Sequence, residues 1–117
     1  MSGTVLVTGG AGYIGSHVVR QLGERGERLV TLDDLSTGNR EAVLYGDLVV
    51  GSAGDAALVR SLMGDYGVDA VLHFAASTVV PESVEKPLAY YANNTLATHT
   101  LLKACADHGV ATFIFSS

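Results

Sequence analysis

The chain has 117 residues, 48% of them hydrophobic and 16% charged, with 14 glycines and net charge −5. Against averages of about 25% charged residues and about 7% Gly, it is apolar, charge-poor and glycine-rich, which excludes intrinsic disorder. The length holds one domain with a real core but not two, and 7 Lys+Arg against 12 Asp+Glu exclude nucleic-acid binding through a basic face.

The single cysteine, Cys105, excludes an internal disulfide and a cysteine-rich zinc site, and fits a reducing compartment. No apolar run approaches the roughly 18 residues of a membrane span. The segment Met1-Ser2-Gly3-Thr4-Val5 lacks the basic-then-apolar order of a signal peptide. These features set the expectation of a soluble cytoplasmic protein without nucleic-acid, membrane or metal partners.

Strand and helix patterns alternate along the chain. Val5-Leu6-Val7-Thr8 is a short β-branched run bounded by glycine and predicts a strand buried on both faces. Ile14, Val18 and Leu22 recur at i+4 and predict a helix of about 13 residues, stopped by Gly26. Leu29-Val30-Thr31-Leu32 predicts a second strand ending at Asp33. A third strand falls on Val43-Leu44-Tyr45 or on Leu48-Val49-Val50, and the pattern leaves the choice open. Asp55 is an N-cap for a helix carrying Leu58, Val59, Leu62 and Met63, closed by Gly67. Ala70-Val71-Leu72-His73-Phe74 predicts the fourth strand. Pro87 suits the first position of a helix running to His108, closed by Gly109, and Thr112-Phe113-Ile114-Phe115 predicts the fifth strand. Such alternation implies parallel strands joined by right-handed crossovers. The expected fold class is α/β, a Rossmann-like doubly wound sheet of order 3-2-1-4-5 spanning residues 1–117.

The informative segment is Thr8-Gly9-Gly10-Ala11-Gly12-Tyr13-Ile14-Gly15, between the first strand and the first helix. Gly9 permits a tight turn off the strand, Gly12 lets a pyrophosphate approach the backbone, and Gly15 allows close packing of the helix. The helix N-terminus then offers free N–H groups to phosphate. The spacing is G-x-x-G-x-x-G rather than the G-x-G-x-x-G of the dehydrogenase form. Asp33, at the end of the second strand, is placed to accept hydrogen bonds from adenosine ribose hydroxyls and to repel a 2′-phosphate, which favours NAD over NADP. Arg40 is read as a surface residue. His73 is read as a structural hydrogen-bonding residue, His17 and His99 as helix surface, and Cys105 as core.

TGGAGYIG at 8–15, Leu32-Asp33-Asp34-Leu35-Ser36-Thr37-Gly38, Gly46-Asp47-Leu48, His73-Phe74-Ala75-Ala76, Glu82-Ser83-Val84-Glu85-Lys86-Pro87-Leu88, Tyr90-Tyr91-x-Asn93-Asn94 and Phe113-Ile114-Phe115-Ser116-Ser117 together resemble the extended short-chain dehydrogenase/reductase family. The likeness covers essentially the whole chain. The stretch 82–94 and the final five residues make it most similar to the branch that epimerises UDP-sugars. The resemblance implies NAD as cofactor. Tyr13 and Ile14 would give backbone amides to the pyrophosphate; Asp33, Asp34, Leu35, Ser36, Thr37 and Gly38 would surround the ribose; Asp47 and Leu48 would flank the adenine. Phe74, Ala75 and Ala76 would line the path to the nicotinamide, and Asn94 would bond near the cofactor. Thr78 and Pro81 stand where the family often has Lys and Gly.

The implied reaction is a transient oxidation at sugar C4 through a 4-keto sugar, with a UDP-sugar as substrate and a homodimeric parent. The family's catalytic Ser or Thr would fall one residue past Ser117, and no Tyr here is followed four positions later by Lys. The resemblance therefore implies no catalytic residue in this chain and a cofactor-binding fragment, inactive alone, whose last strand carries uncovered apolar surface. Two alternatives stay open: another nucleotide-sugar enzyme of the family, a dehydratase or decarboxylase, and a non-catalytic dinucleotide-binding sensor.

Overall fold

The computed structural model describes residues 3–10, 13–35, 40–74 and 87–115, with backbone alone at 13, 42 and 87–95. In chain order the elements are β1 (Thr4–Thr8), α1 (Tyr13–Glu24), β2 (Arg28–Asp33), a 3-10 turn (Arg40–Ala42), β3 (Asp47–Val50), α2 (Ala56–Tyr66), β4 (Val68–His73), α3 (Pro87–His108) and β5 (Thr112–Phe115). The strands form one parallel sheet of order β3-β2-β1-β4-β5, as the alternation predicts. β1 lies at the centre, and all five of its residues are buried. Its β-branched run has helices on both sides, the setting in which a continuous apolar strand is stable.

Strand alternation divides the core into two layers. Leu6, Val30, Leu32 and Val71 point to one face and pack with Val59, Leu62, Met63, Leu101, Ala104 and Cys105 of α2 and α3. Val5, Val7, Leu29 and Ala70 point to the other and pack with Val19 of α1. Burial pushes the Cys105 thiol pKa up, in keeping with its place in the core. Arg60 and Asp107 pair at 3.0 Å between α2 and α3. Both side chains are about half exposed, so this pair adds at most about 1 kcal/mol to the packing beneath it.

The predicted stops and caps are present. The Asp55 carboxylate accepts from Leu58 N at 3.2 Å, and Gly67 closes α2 in the left-handed conformation with its N–H donating to the Met63 carbonyl. Gly26 and Gly109 follow α1 and α3 with φ of 83° and 70°. Two expectations, the buried line of α1 and the start of β4, need correction, and one open choice, the third strand, is resolved. Of the apolar line predicted for α1, Leu22 packs on the sheet but Ile14 is 47% exposed, and the line turned inward is Gly15, Val19 and Leu22. Of the two third-strand candidates, Asp47–Val50 is the strand. Val43–Tyr45 instead packs back toward α1, where a Cβ on Gly23 would collide with the Tyr45 ring. β4 begins two residues earlier than the apolar run suggests, at Val68, and ends at His73. β5 is an edge strand with Ile114 and Phe115 about half exposed, the uncovered apolar surface that its sequence predicts.

Candidate functional site

The site lies at the carboxyl edge of the parallel strands, where open α/β sheets place ligands. Three backbone hydrogen bonds continue the ladder one residue past the strands. Gly9 N donates to the Leu32 carbonyl at 2.9 Å, Gly51 N to Asp33 at 3.1 Å, and Phe74 N to Thr8 at 2.8 Å. They bring Gly9, Asp33, Gly51 and Phe74 onto a single rim.

Gly9 has φ of 74°, a conformation that a Cβ would strain, and it turns the chain off β1 as the motif requires. The close approach at Gly15 is to the turn itself. A Cβ there would overlap the Gly9 carbonyl oxygen and lie 2.9 Å from Gly10 Cα. Gly15 therefore presses the start of α1 onto the loop, which keeps the helix N-terminus at the rim. Gly10, which the motif reading passed over, does the work first given to Gly15. A Cβ on Gly10 would sit 2.8 Å from Thr31 Oγ1 and 3.1 Å from Val19 Cγ2, between β2 and α1. No acidic side chain occupies the first turn of α1, so nothing there competes with an anion for the helix dipole.

Asp33 closes β2 and is 9% exposed. It shares the strand face of Leu29 and Thr31, the face that α1 covers, so its carboxylate stands on the phosphate-loop side of the rim. Its Oδ1 accepts the N–H of Leu35 at 2.8 Å. Leu35 has φ of 63°, the one positive φ among the described non-glycine residues. Asp34 follows directly, and Arg40 lies exposed in the 3-10 turn, as expected.

Asp47 and Leu48 do not join this cluster. They open β3, with Asp47 beside Val30 and Leu48 beside Thr31, whereas Val50 pairs with Asp33 at the rim. Three residues of extended strand separate Asp47 from the rim, about 10 Å. The Asp47 carboxylate instead accepts the Tyr66 hydroxyl at 2.8 Å, at the far end of α2. That bond, chiefly, raises the Tyr66 pKa above its ordinary value, because it favours the protonated phenol. The residues that follow β3 at the rim are Gly51, Ser52, Ala53 and Gly54. Ser52 Oγ accepts from Gly54 N at 3.0 Å, and Gly54 lies beside Leu96 of α3. The sequence signal for these residues is the Gly51-Ser52 pair after an apolar run, a pattern that Gly46-Asp47 resembles.

His73 is completely buried at the end of β4, its Nδ1 in a hydrogen bond with the Thr8 hydroxyl, its ring against Phe113 and Phe115. Burial lowers its pKa to about 4, so the ring is neutral near pH 7 and serves the structural role that its sequence position suggests. His17 and His99 lie on exposed helix positions. Of the remaining site candidates, Tyr13, Ile14 and Asn94 lie on the backbones of α1 and α3, and Phe74 is half-buried at the rim. Gly12, Ser36, Thr37, Gly38, Ala75 and Ala76, and the side chains of Tyr13 and Asn94, lie outside the described residues.

The rim thus joins a glycine turn, a helix N-terminus without an acidic first turn and a carboxylate one strand away, a set suited to a dinucleotide diphosphate and its ribose. The comparisons with known proteins agree. The UDP-glucose 4-epimerase of Azospirillum brasilense is 57% identical over 114 residues, which span 97% of this chain and 33% of that protein. The crystal structure of UDP-glucose 4-epimerase from Brucella ovis in complex with NAD superposes with a TM-score of 0.91 at 48% identity, over 98% of this chain and 35% of that one. The Thermus thermophilus UDP-glucose 4-epimerase complex with NAD gives a TM-score of 0.90 at 39% identity, over 97% and 37%. The chain spans about a third of the length of these relatives. No helix among the described residues is long and apolar enough to cross a membrane. Residues 5–117 match the NAD dependent epimerase/dehydratase family, and the chain belongs to it.

Proposed function

We propose that this chain is the NAD-binding part of a UDP-glucose 4-epimerase, with residues 1–117 as its dinucleotide-binding domain. The observation that carries the reading is the meeting of Gly9, Gly15 and Asp33 at one rim. Gly9 takes the φ that the turn needs, Gly15 leaves room for no side chain, and Asp33 lies where the second strand ends. This cradle fits NAD. The turn and the first amides of α1, at Tyr13 and Ile14, hold the pyrophosphate, since backbone donors and helix dipole both favour negative charge there. Asp33 accepts from the ribose hydroxyls and repels a 2′-phosphate; the family resemblance assigns Asp34, Leu35, Ser36, Thr37 and Gly38 to the same ribose. Gly51, Ser52 and Ala53 bound the next position along the rim, toward the adenine, in place of Asp47 and Leu48. Phe74, at the end of β4, stands on the nicotinamide side, and the family resemblance assigns Ala75, Ala76 and Asn94 to the same part of the cofactor.

When bound, NAD supplies hydride acceptance and return at C4 of the sugar. The chain's own part is to bind and orient the cofactor; the base and the hydroxyl-orienting residue lie elsewhere in the protein. For the whole protein the corresponding reading is interconversion of UDP-glucose and UDP-galactose, supported by the kinship with the UDP-glucose 4-epimerases of A. brasilense and B. ovis; a cytoplasmic homodimer in galactose metabolism belongs to the same proposal.

The test is titration calorimetry of the chain and its Asp33→Ala variant against NAD. A lost hydrogen bond to a charged group is worth about 1.5–3 kcal/mol, so affinity should fall about tenfold or more. Equal NAD affinity in the two proteins refutes the ribose role.

A further inference from the structure

We infer that Thr8 and His73 are positioning residues for the cofactor: the bond between their side chains clasps the last pair of β1 and β4, and so fixes the spacing between the turn that takes the pyrophosphate and the strand end on the nicotinamide side. The inference rests on the proposed NAD site and adds to it two residues that stand behind the rim.

Thr8 and His73 are register partners at the carboxyl end of the sheet. The next residue on each strand belongs to the rim. Gly9 starts the phosphate turn with φ of 74°, and Phe74 is half-buried at the end of β4. The ladder between the two strands closes with the bond from Phe74 N to the Thr8 carbonyl at 2.8 Å. Ladder ends are where local opening costs least. At that level the Thr8 hydroxyl and His73 Nδ1 add a bond between side chains. The His73 ring also lies against Phe113 and Phe115 of β5, with centroids 6.2 and 5.4 Å apart. The clasp therefore spans three strands just beneath the rim.

Stability alone does not account for this pair. Both residues are completely buried, on the sheet face of Leu6 and Val71. A buried hydrogen-bonded pair can be exchanged for apolar groups of the same shape at little loss. Here the exchange would also remove a penalty, because His73 Nε2 finds no partner among the described residues. What apolar groups would not supply is direction. A hydrogen bond sets both distance and angle, whereas apolar burial is non-directional and lets two strand ends slide. A dinucleotide is sensitive to such sliding. ADP-ribose, which is NAD without its nicotinamide, needs only the turn and Asp33. NAD needs those and the strand end at Phe74 together.

The experiment uses the full chain and four variants. His73→Asn places a polar atom where Nδ1 stands and His73→Leu a methyl group, so the two differ chiefly in the bond to Thr8. Thr8→Val removes that bond from the other side, and the double variant Thr8→Val/His73→Leu removes both partners. Titration calorimetry gives dissociation constants for NAD and ADP-ribose, and circular dichroism gives the thermal midpoint. We expect the wild type to bind NAD more tightly than ADP-ribose, and His73→Asn to keep the ratio of the two constants within about threefold. We expect His73→Leu, Thr8→Val and the double variant to shrink that ratio about fivefold or more. The double variant should do so with a midpoint within about 4 °C of the wild type, since neither partner is left unpaired. A double variant that keeps both midpoint and ratio overturns the inference, because the pair then serves folding alone. So does a wild type that holds ADP-ribose as tightly as NAD, since Phe74's side then takes no part. Exchange of the Phe74 amide in the unliganded wild type, followed by NMR, needs no variant to fold. We expect it to be slow, and fast exchange overturns the clasp. If the wild type binds neither ligand, the proposed function itself fails and the inference falls with it. That outcome is distinct from a wild type that binds both while the ratio ignores residues 8 and 73.

Discussion

One chemical change, made at two glycines, should move stability in opposite directions. In an open helix position, Gly→Ala gains up to about 1 kcal/mol from restricted backbone entropy in the unfolded chain. Gly64, exposed in α2, is such a position, because a Cβ there meets nothing within 4 Å. Gly15 in α1 is not. Its new methyl would overlap the Gly9 carbonyl oxygen and lie 2.9 Å from Gly9 C and Gly10 Cα. That is roughly half an ångström inside the ordinary carbon contact of about 3.5 Å. All three atoms are main chain, in a turn held by the Gly9–Leu32 hydrogen bond of 2.9 Å, so no side chain can swing aside. Overpacking typically costs about 1–3 kcal/mol; against unyielding main chain the upper part of that range, about 2–3 kcal/mol, applies, and subtracting a propensity gain of about 1 kcal/mol leaves a net loss of about 1–2 kcal/mol. At about 4 °C per kcal/mol for a chain of this size, Gly15→Ala should lower the thermal midpoint by about 4–8 °C and Gly64→Ala raise it by about 2–4 °C. Thermal unfolding followed by circular dichroism reads both. If Gly15→Ala is as stable as the wild type, or gains like Gly64→Ala, the helix does not press on the turn and the cradle is wrong.

Stability should also respond to acid through His73. Its folded pKa of about 4 lies below the ordinary 6.5, so its contribution is complete above pH 6.5 and is lost as pH falls from there to about 4, up to about 3 kcal/mol. Urea unfolding between pH 7 and 4 should show this slope, and His73→Asn, which still hydrogen-bonds Thr8 without titrating, should flatten it; a slope retained in His73→Asn assigns the effect to another group. Asp47→Asn should leave NAD affinity unchanged within about twofold, since the residue lies away from the rim, while the Tyr66 absorbance titration moves down toward pH 10. A tenfold loss of NAD affinity in that variant would return Asp47 to the site.

Sheet order, caps and glycine turn were legible because each has a local cause: β-branched runs between glycines, Asp55 ahead of an apolar helix, Gly67 and Gly109 behind one. What escaped the sequence depended on contacts between segments. The buried line of α1 runs through Gly15, and a tally of apolar residues cannot count a residue that packs by having no side chain; Ile14 and Val18 gave the same period one step out of phase. Val43–Tyr45 and Leu48–Val50 are equally apolar, and only pairing with β2 separates them. Asp47 and Ser52 each follow a glycine beside an apolar run, and the register of β3 decides which reaches the rim. The left-handed Leu35 gave no signal, since Leu is among the last residues that a turn rule would select.

The central strand is paired on one side by β2 and on the other by β4, and Thr4 meets Val68 there. During synthesis, β1, α1 and β2 are available early, and the phosphate turn between them can take shape from near neighbours. The rim beneath it is complete only when His73 and Phe74 have been made and have docked on Thr8. A nascent chain therefore carries its glycine turn on a half-paired strand for the whole time that α2 is being translated, and competence to grip a nucleotide should emerge abruptly, with the arrival of β4.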